Sequence, residues 1–139
     1  MKANELMIGD RVYLIKGYFM NYSLSTIKRK EILEIDGYYL HKISEELLEV
    51  EPIPLTVEIL EKNGFKGEGY LILELDEFSY LEYYPFEGRL RKIWHGIDEW
   101  NNHSDTKDIT FQCHCKYVHE LQHALRLCGL NEIADNLKI

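Results

Sequence analysis

Apolar and polar positions along the chain change period several times, and the elements follow from those changes. Residues 11–15, Arg-Val-Tyr-Leu-Ile, read as a strand after the Gly9-Asp10 turn, and Gly17 is expected to break it. Residues 23–35 read as a second strand. Asp36-Gly37 carries a hairpin signal before Tyr38-Tyr39-Leu40-His41-Lys42-Ile43, a third strand, and Leu47-Leu48-Glu49-Val50 a fourth. Short strands joined by tight turns predict a small antiparallel, barrel-like β-module over residues 1–52.

Pro52-Ile53-Pro54 is the natural joint, because proline resists both helix and central strand. Thr56 is placed as an N-cap for a short helix over residues 57–62, with Leu55 and Leu60 as a hydrophobic staple and Asn63-Gly64 as its stop. Strand patterns follow at residues 71–75, 78–84 and 90–94. Residues 96–108 read as a polar loop anchored by Trp100, and Ile109 to Lys116 as a last strand with Ile109, Phe111, Cys113 and Cys115 on its apolar face. Residues 117–128 give the strongest helical period. Tyr117, Val118, Leu121, Ala124, Leu125 and Cys128 form one stripe, while His119, Gln122, His123 and Arg126 lie opposite and are expected to face water. Gly129 suits a left-handed stop with Leu130 folding back, and Asn131 a cap for a last short helix. The fold class is therefore α+β: the β-module, then an antiparallel sheet with one main packed C-terminal helix in residues 53–139.

Composition narrows the function classes. A net charge of −8 argues against nucleic acid as a partner, because phosphate contacts need Lys and Arg. The local basic clusters, Lys28-Arg29-Lys30 and Arg89 with Arg91 and Lys92, read as solvated strand surface. No run of 18 apolar residues implies a membrane span, and the N-terminus lacks a secretory apolar core, so a cytoplasmic location is expected. Three cysteines without a signal predict reduced thiols. The glycines at 64, 67 and 69 lack the Lys-Ser/Thr pair and following helix of a phosphate loop.

Two patterns carry possible chemistry. His119-Glu120-Leu121-Gln122-His123 fits H-E-x-x-H, in which two histidines one turn apart hold zinc and the glutamate acts as general base. Here His119 and His123 would be the metal ligands, Glu120 the base, and Glu132 or Asp135 the third ligand. Arg126 beside the pair opposes a cation, and only 16 residues follow His123, none of them histidine. Cys113-x-Cys115-x3-His119-x3-His123 has the ligand types of a structural zinc site, but strand alternation turns both sulfurs to the apolar face. Phe78, Tyr80, Tyr84 and Phe86 are placed on one strand face, where core packing accounts for them more simply than a binding surface.

Leu6, Ile8, Gly9 and Val12 form an L-x-I-G-x-x-V segment. Pro54, Leu55, Thr56, Leu60, Gly64 and Phe65 form P-L-T-x-x-x-L-x-x-x-G-F, and Tyr117, Val118, His119, Leu121 and Gln122 form Y-V-H-x-L-Q. In their order and spacing these segments resemble a group of small bacterial proteins found among prophage and mobile-element genes. The resemblance spans nearly the whole chain and implies no particular activity. Its pattern often has Gln at the place of Glu120 and Asn at the place of His123, which weakens the zinc reading and leaves His119 and Gln122 as the binding pair. The expectation is a small non-catalytic protein-interaction module with a protein partner and no cofactor; the alternative is a minimal zinc hydrolase.

Overall fold

The computed structural model describes the backbone of residues 1–19, 22–24, 31–97 and 103–139, and the side chains of residues 1–15, 31–95 and 107–139. The Lys28-Arg29-Lys30 cluster and Trp100 lie outside the described residues. The fold is α+β, with two antiparallel sheets and a helical C-terminal segment. It divides into two compact units, Met1–Pro54 with Tyr117–His123, and Leu55–Lys116 with Ala124–Ile139.

In the first unit, strand β1 (Arg11–Phe19) is the centre of the sheet. Strand β4 (Leu48–Pro52) pairs along one edge of it. Strands β3 (Glu31–Glu34) and β2 (Tyr22–Leu24) pair in succession along the other. Gly17 does not end β1 but pairs with both Leu24 and Leu48, since a glycine flanked by partners on two sides is held by the ladder whatever its propensity. Pro52 closes β4 at the sheet edge, the place where a missing N–H is tolerated.

Residues 38–43 are not a strand. Helix α1 (Gly37–Ser44) begins at Asp36, whose side chain accepts a hydrogen bond from the Tyr39 N–H at 2.8 Å. Aspartate is as good an N-cap as a turn residue, and Tyr39, Leu40 and Ile43 pack against the core at helical rather than alternating spacing. That core is Leu6, Val12, Leu14, Ile35, Ile43, Leu48 and Val50.

The second unit holds helix α2 (Val57–Lys62), entered as expected by Thr56, whose hydroxyl accepts from the Ile59 N–H at 3.2 Å. A meander follows in sequential order: β5 (Leu71–Glu74), β6 (Ser79–Tyr84), β7 (Arg89–Ile97) and β8 (His103–His114). The polar stretch before Asp108 therefore continues β8 and is not all loop. Backbone pairing to β7 needs no apolar side chains at the edge of a sheet. In β6 Ser79, Leu81 and Tyr83 are buried on one face and Tyr80 is buried as expected on the other, whereas Phe86 lies beyond the strand and is 98 % exposed. Tyr84 instead stacks on Tyr70 and lies under the Arg89 guanidinium. Cys115 is buried, while Ile109, at 51 % exposure, departs from the apolar face assigned to it; the β7–β8 register shifts between Lys92 and Ile93, whose partners Phe111 and Ile109 leave Thr110 as an extra residue in β8.

Helix α3 (Val118–Leu127) is divided between the units, its first turns belonging with Met1–Pro54. It ends as expected: Gly129 takes φ +75, its N–H donates to the Arg126 carbonyl, and Leu130 N–H donates to the Leu125 carbonyl. Helix α4 (Asn131–Asp135) starts one residue earlier than expected, so Asn131 is its first residue rather than its cap. Cys113, Cys115 and Cys128 form no disulfide. No helix among the described residues is long and apolar enough to cross a membrane.

Candidate functional site

The first turns of α3 carry all five residues of His119-Glu120-Leu121-Gln122-His123, and their surroundings are set by the Met7–Arg11 turn of the same unit. Met7 C=O accepts from the Asp10 N–H, and the Asp10 carboxylate accepts from the Met7 N–H at 2.8 Å, closing the turn twice. Gly9 sits at φ +92 inside it, a left-handed position that glycine reaches without a Cβ clash. The turn turns its carbonyl and amide groups toward the helix. Gln122 Nε2 donates to the Gly9 carbonyl at 3.0 Å and Gln122 Oε1 accepts from the Arg11 N–H at 2.9 Å. A single amide thus satisfies a donor and an acceptor, as a strand neighbour would.

One turn on, His123 Nε2 meets Asp10 Oδ2 at 2.6 Å. Asp10 is wholly buried. An aspartate removed from water needs partners, and here the Met7 amide and the His123 ring supply two. A carboxylate only accepts hydrogen bonds, so Nε2–H is the donor and this nitrogen has no lone pair to offer a metal. Glu120 is likewise engaged: its Oε1 accepts from the Tyr117 N–H at 3.1 Å, the reach-back of a glutamate at the third helical position.

His119 and Gln122 therefore do not face water. They are 7 % and 0 % exposed, a correction to the reading of the helix as having a solvated flank. A helical wheel marks the opposite of the apolar stripe as polar, but it has no knowledge of a second, polar layer covering it. The His119 ring lies parallel to Tyr117 at 6.0 Å and edge-on to His123 at 5.6 Å. Its Nδ1 is sealed from solvent and meets no hydrogen-bond partner among the described residues. Burial lowers the His119 pKa from its ordinary 6.5, with the Asp10 and Glu120 charges opposing more weakly. The unfolded chain then binds the proton more readily than the folded one. The stability contributed by the neutral ring is present above about pH 6.5 and lost as pH falls below it. Substituting His119→Leu should leave stability near pH 7.5 unchanged or raised, because the unmet nitrogen is gone. In urea titrations the advantage of the variant should widen toward pH 5. A variant that loses ground to the parent as pH falls would refute this.

Of the other expected ligands, Asp135 lies 3.7 Å from the Arg126 guanidinium in the second unit. Among the described residues, no group of three or more His, Cys, Asp or Glu side chains is arranged to hold a metal ion. Two cavities bear titratable side chains. One of about 290 Å³ in the first unit is lined by Met1, Glu5, Pro52, Tyr117, His119 and Glu120. The other, of about 650 Å³ in the second unit, is lined by Glu74, Asp76, Glu77, Ser79, Tyr80 and His95. In the latter the Phe78 N–H and the Ser79 hydroxyl hold the Asp76 carboxyl below the usual carboxylate range.

The structure thus brings His119, Gln122 and His123 together with Gly9, Asp10 and Arg11. Asp10, the one buried acid among the described residues, is not marked by the sequence because Gly9-Asp10 is a complete turn signal in itself. Comparison with protein-family models, with curated proteins and with solved structures finds no match to the chain.

Proposed function

We propose that the chain is a small non-catalytic protein-interaction module of the mobile-element type that its sequence resembles. The observation that supports this best is the use made of the H-E-L-Q-H polar groups. Glu120 caps its own helix, Gln122 holds the Gly9 carbonyl and Arg11 amide, and His123 holds the buried Asp10. A general base must reach substrate or its water, and a ligand histidine must present a lone pair. Here Glu120 Oε1 accepts from the Tyr117 N–H and His123 Nε2 meets Asp10 instead. The net charge of −8 favours a basic partner over nucleic acid.

Elemental analysis of untagged protein, purified without added metal, should find no stoichiometric zinc. The His123→Ala variant should give the same result, and added zinc should produce no peptide hydrolysis. Stoichiometric zinc that disappears with His123, together with zinc-dependent cleavage, would replace the interaction reading with the hydrolase one.

A further inference from the structure

Helix α2 stops at the dipeptide Asn63-Gly64, and the fold needs each residue for a different reason. Gly64 takes φ +91. Its N–H donates to the Glu61 carbonyl and the Phe65 N–H returns to Leu60, a left-handed ending that glycine reaches at least cost. Asn63 uses both ends of its amide as a clamp. Nδ2 donates to the Ile59 and Lys138 carbonyls, each at 2.7 Å, and Oδ1 accepts from the Lys138 N–H at 2.7 Å. The clamp ties the segment that follows α4, whose Leu137 is buried, to the end of α2.

Asparagine before glycine is also the pair in which succinimide closure is least hindered, because glycine sets no side chain beside its nitrogen. In that reaction the Gly64 nitrogen attacks Asn63 Cγ. The N–Cγ bond forms, the Cγ–Nδ2 bond breaks, and the side-chain nitrogen leaves as ammonia with the proton from Gly64. Water then opens the ring at either carbonyl, giving aspartate or isoaspartate with no change in oxidation state. The folded conformation opposes closure. At ψ 16° the Gly64 nitrogen nearly eclipses the Asn63 nitrogen and is turned away from Cβ. The Gly64 N–H is engaged with Glu61, and the Asn63 amide is pinned by three hydrogen bonds. Closure therefore passes through a local opening at this stop. The product cannot restore the clamp. A carboxylate only accepts, so it meets the Ile59 and Lys138 carbonyls without a proton to offer. Isoaspartate also adds a methylene to the main chain before Gly64.

We propose that Asn63 is a site of spontaneous succinimide modification, gated by its clamp on Lys138, and that the modification releases the segment after α4. The proposal goes beyond the interaction reading and does not depend on it.

The full chain is incubated for weeks at pH 8, folded and in urea, and mapped by peptide mass spectrometry. Asn63 should convert in the folded chain to a mixture containing isoaspartate, about tenfold or more slowly than in urea. Lys138→Pro removes the N–H that Oδ1 accepts and leaves Asn63 and Gly64 untouched. It should speed the folded reaction by about fivefold, the equivalent of one hydrogen bond. Asn63→Asp mimics one product, and its Lys138 amide should exchange about tenfold faster than the parent's. No conversion at Asn63 in the folded chain would overturn the proposal, as would conversion at the unfolded rate. So would a folded Lys138→Pro variant that converts like the parent, or an Asn63→Asp variant that protects the Lys138 amide as the parent does.

Discussion

Replacing Gln122 with alanine is expected to destabilise the folded protein by about 3 kcal/mol, among the larger effects of any single side chain. Gln122 is fully buried and bonds to two backbone groups of the same turn. Alanine would strand both the Gly9 carbonyl and the Arg11 amide away from water, and each stranded group costs about 1–3 kcal/mol. The volume lost adds a cavity cost. Urea denaturation measures the total. Gln122→Glu separates the two bonds. A carboxylate still accepts from Arg11 but opposes the Gly9 oxygen, whereas a protonated carboxyl donates to it. The folded pKa of that glutamate should therefore rise above the unfolded 4.3 or so. The stability of this variant should be fullest below that value and decline as pH rises through the folded pKa. A Gln122→Ala cost below about 1 kcal/mol would show that water or relaxation replaces both bonds.

His123→Ala should cost about 3 kcal/mol, because it leaves Asp10 buried without the ring that meets it at 2.6 Å. Asp10→Ala should cost a similar amount, since it also removes the acceptor of the Met7 amide. If the two side chains act as a pair, the double variant should fall short of the sum of the singles by about 1 kcal/mol or more. Asp10→Asn should be milder than Asp10→Ala, as the amide oxygen still accepts from Met7 and from a neutral His123. Strict additivity would indicate that the contact contributes little.

What the sequence disclosed and what it concealed divide along physical lines. Helix α2 and the end of α3 were legible because their signals are local: Thr56 three residues before Ile59, and a glycine at the left-handed stop. Helix α1 is hidden in the sequence because Asp36 serves a turn and an N-cap equally well, and only the spacing of Tyr39, Leu40 and Ile43 separates the two. The length of β8 was missed because an edge strand needs only a partner's backbone. The sequence marks His119 and Gln122 but carries no sign of their burial. The residues that cover the helix, Gly9 to Arg11, lie more than a hundred positions away, with Asp10 and His123 113 apart. No local period carries a polar contact at that distance.

The polar flank of α3 holds the Met7–Arg11 turn through Gln122 and His123. Native-state hydrogen exchange at the Arg11 amide tests it most directly, because that N–H has Gln122 Oε1 as its acceptor. Slow exchange in the parent, accelerated strongly in Gln122→Ala, is the predicted result. An Arg11 amide that exchanges in the parent as fast as an exposed one, unchanged by Gln122→Ala, would contradict the claim.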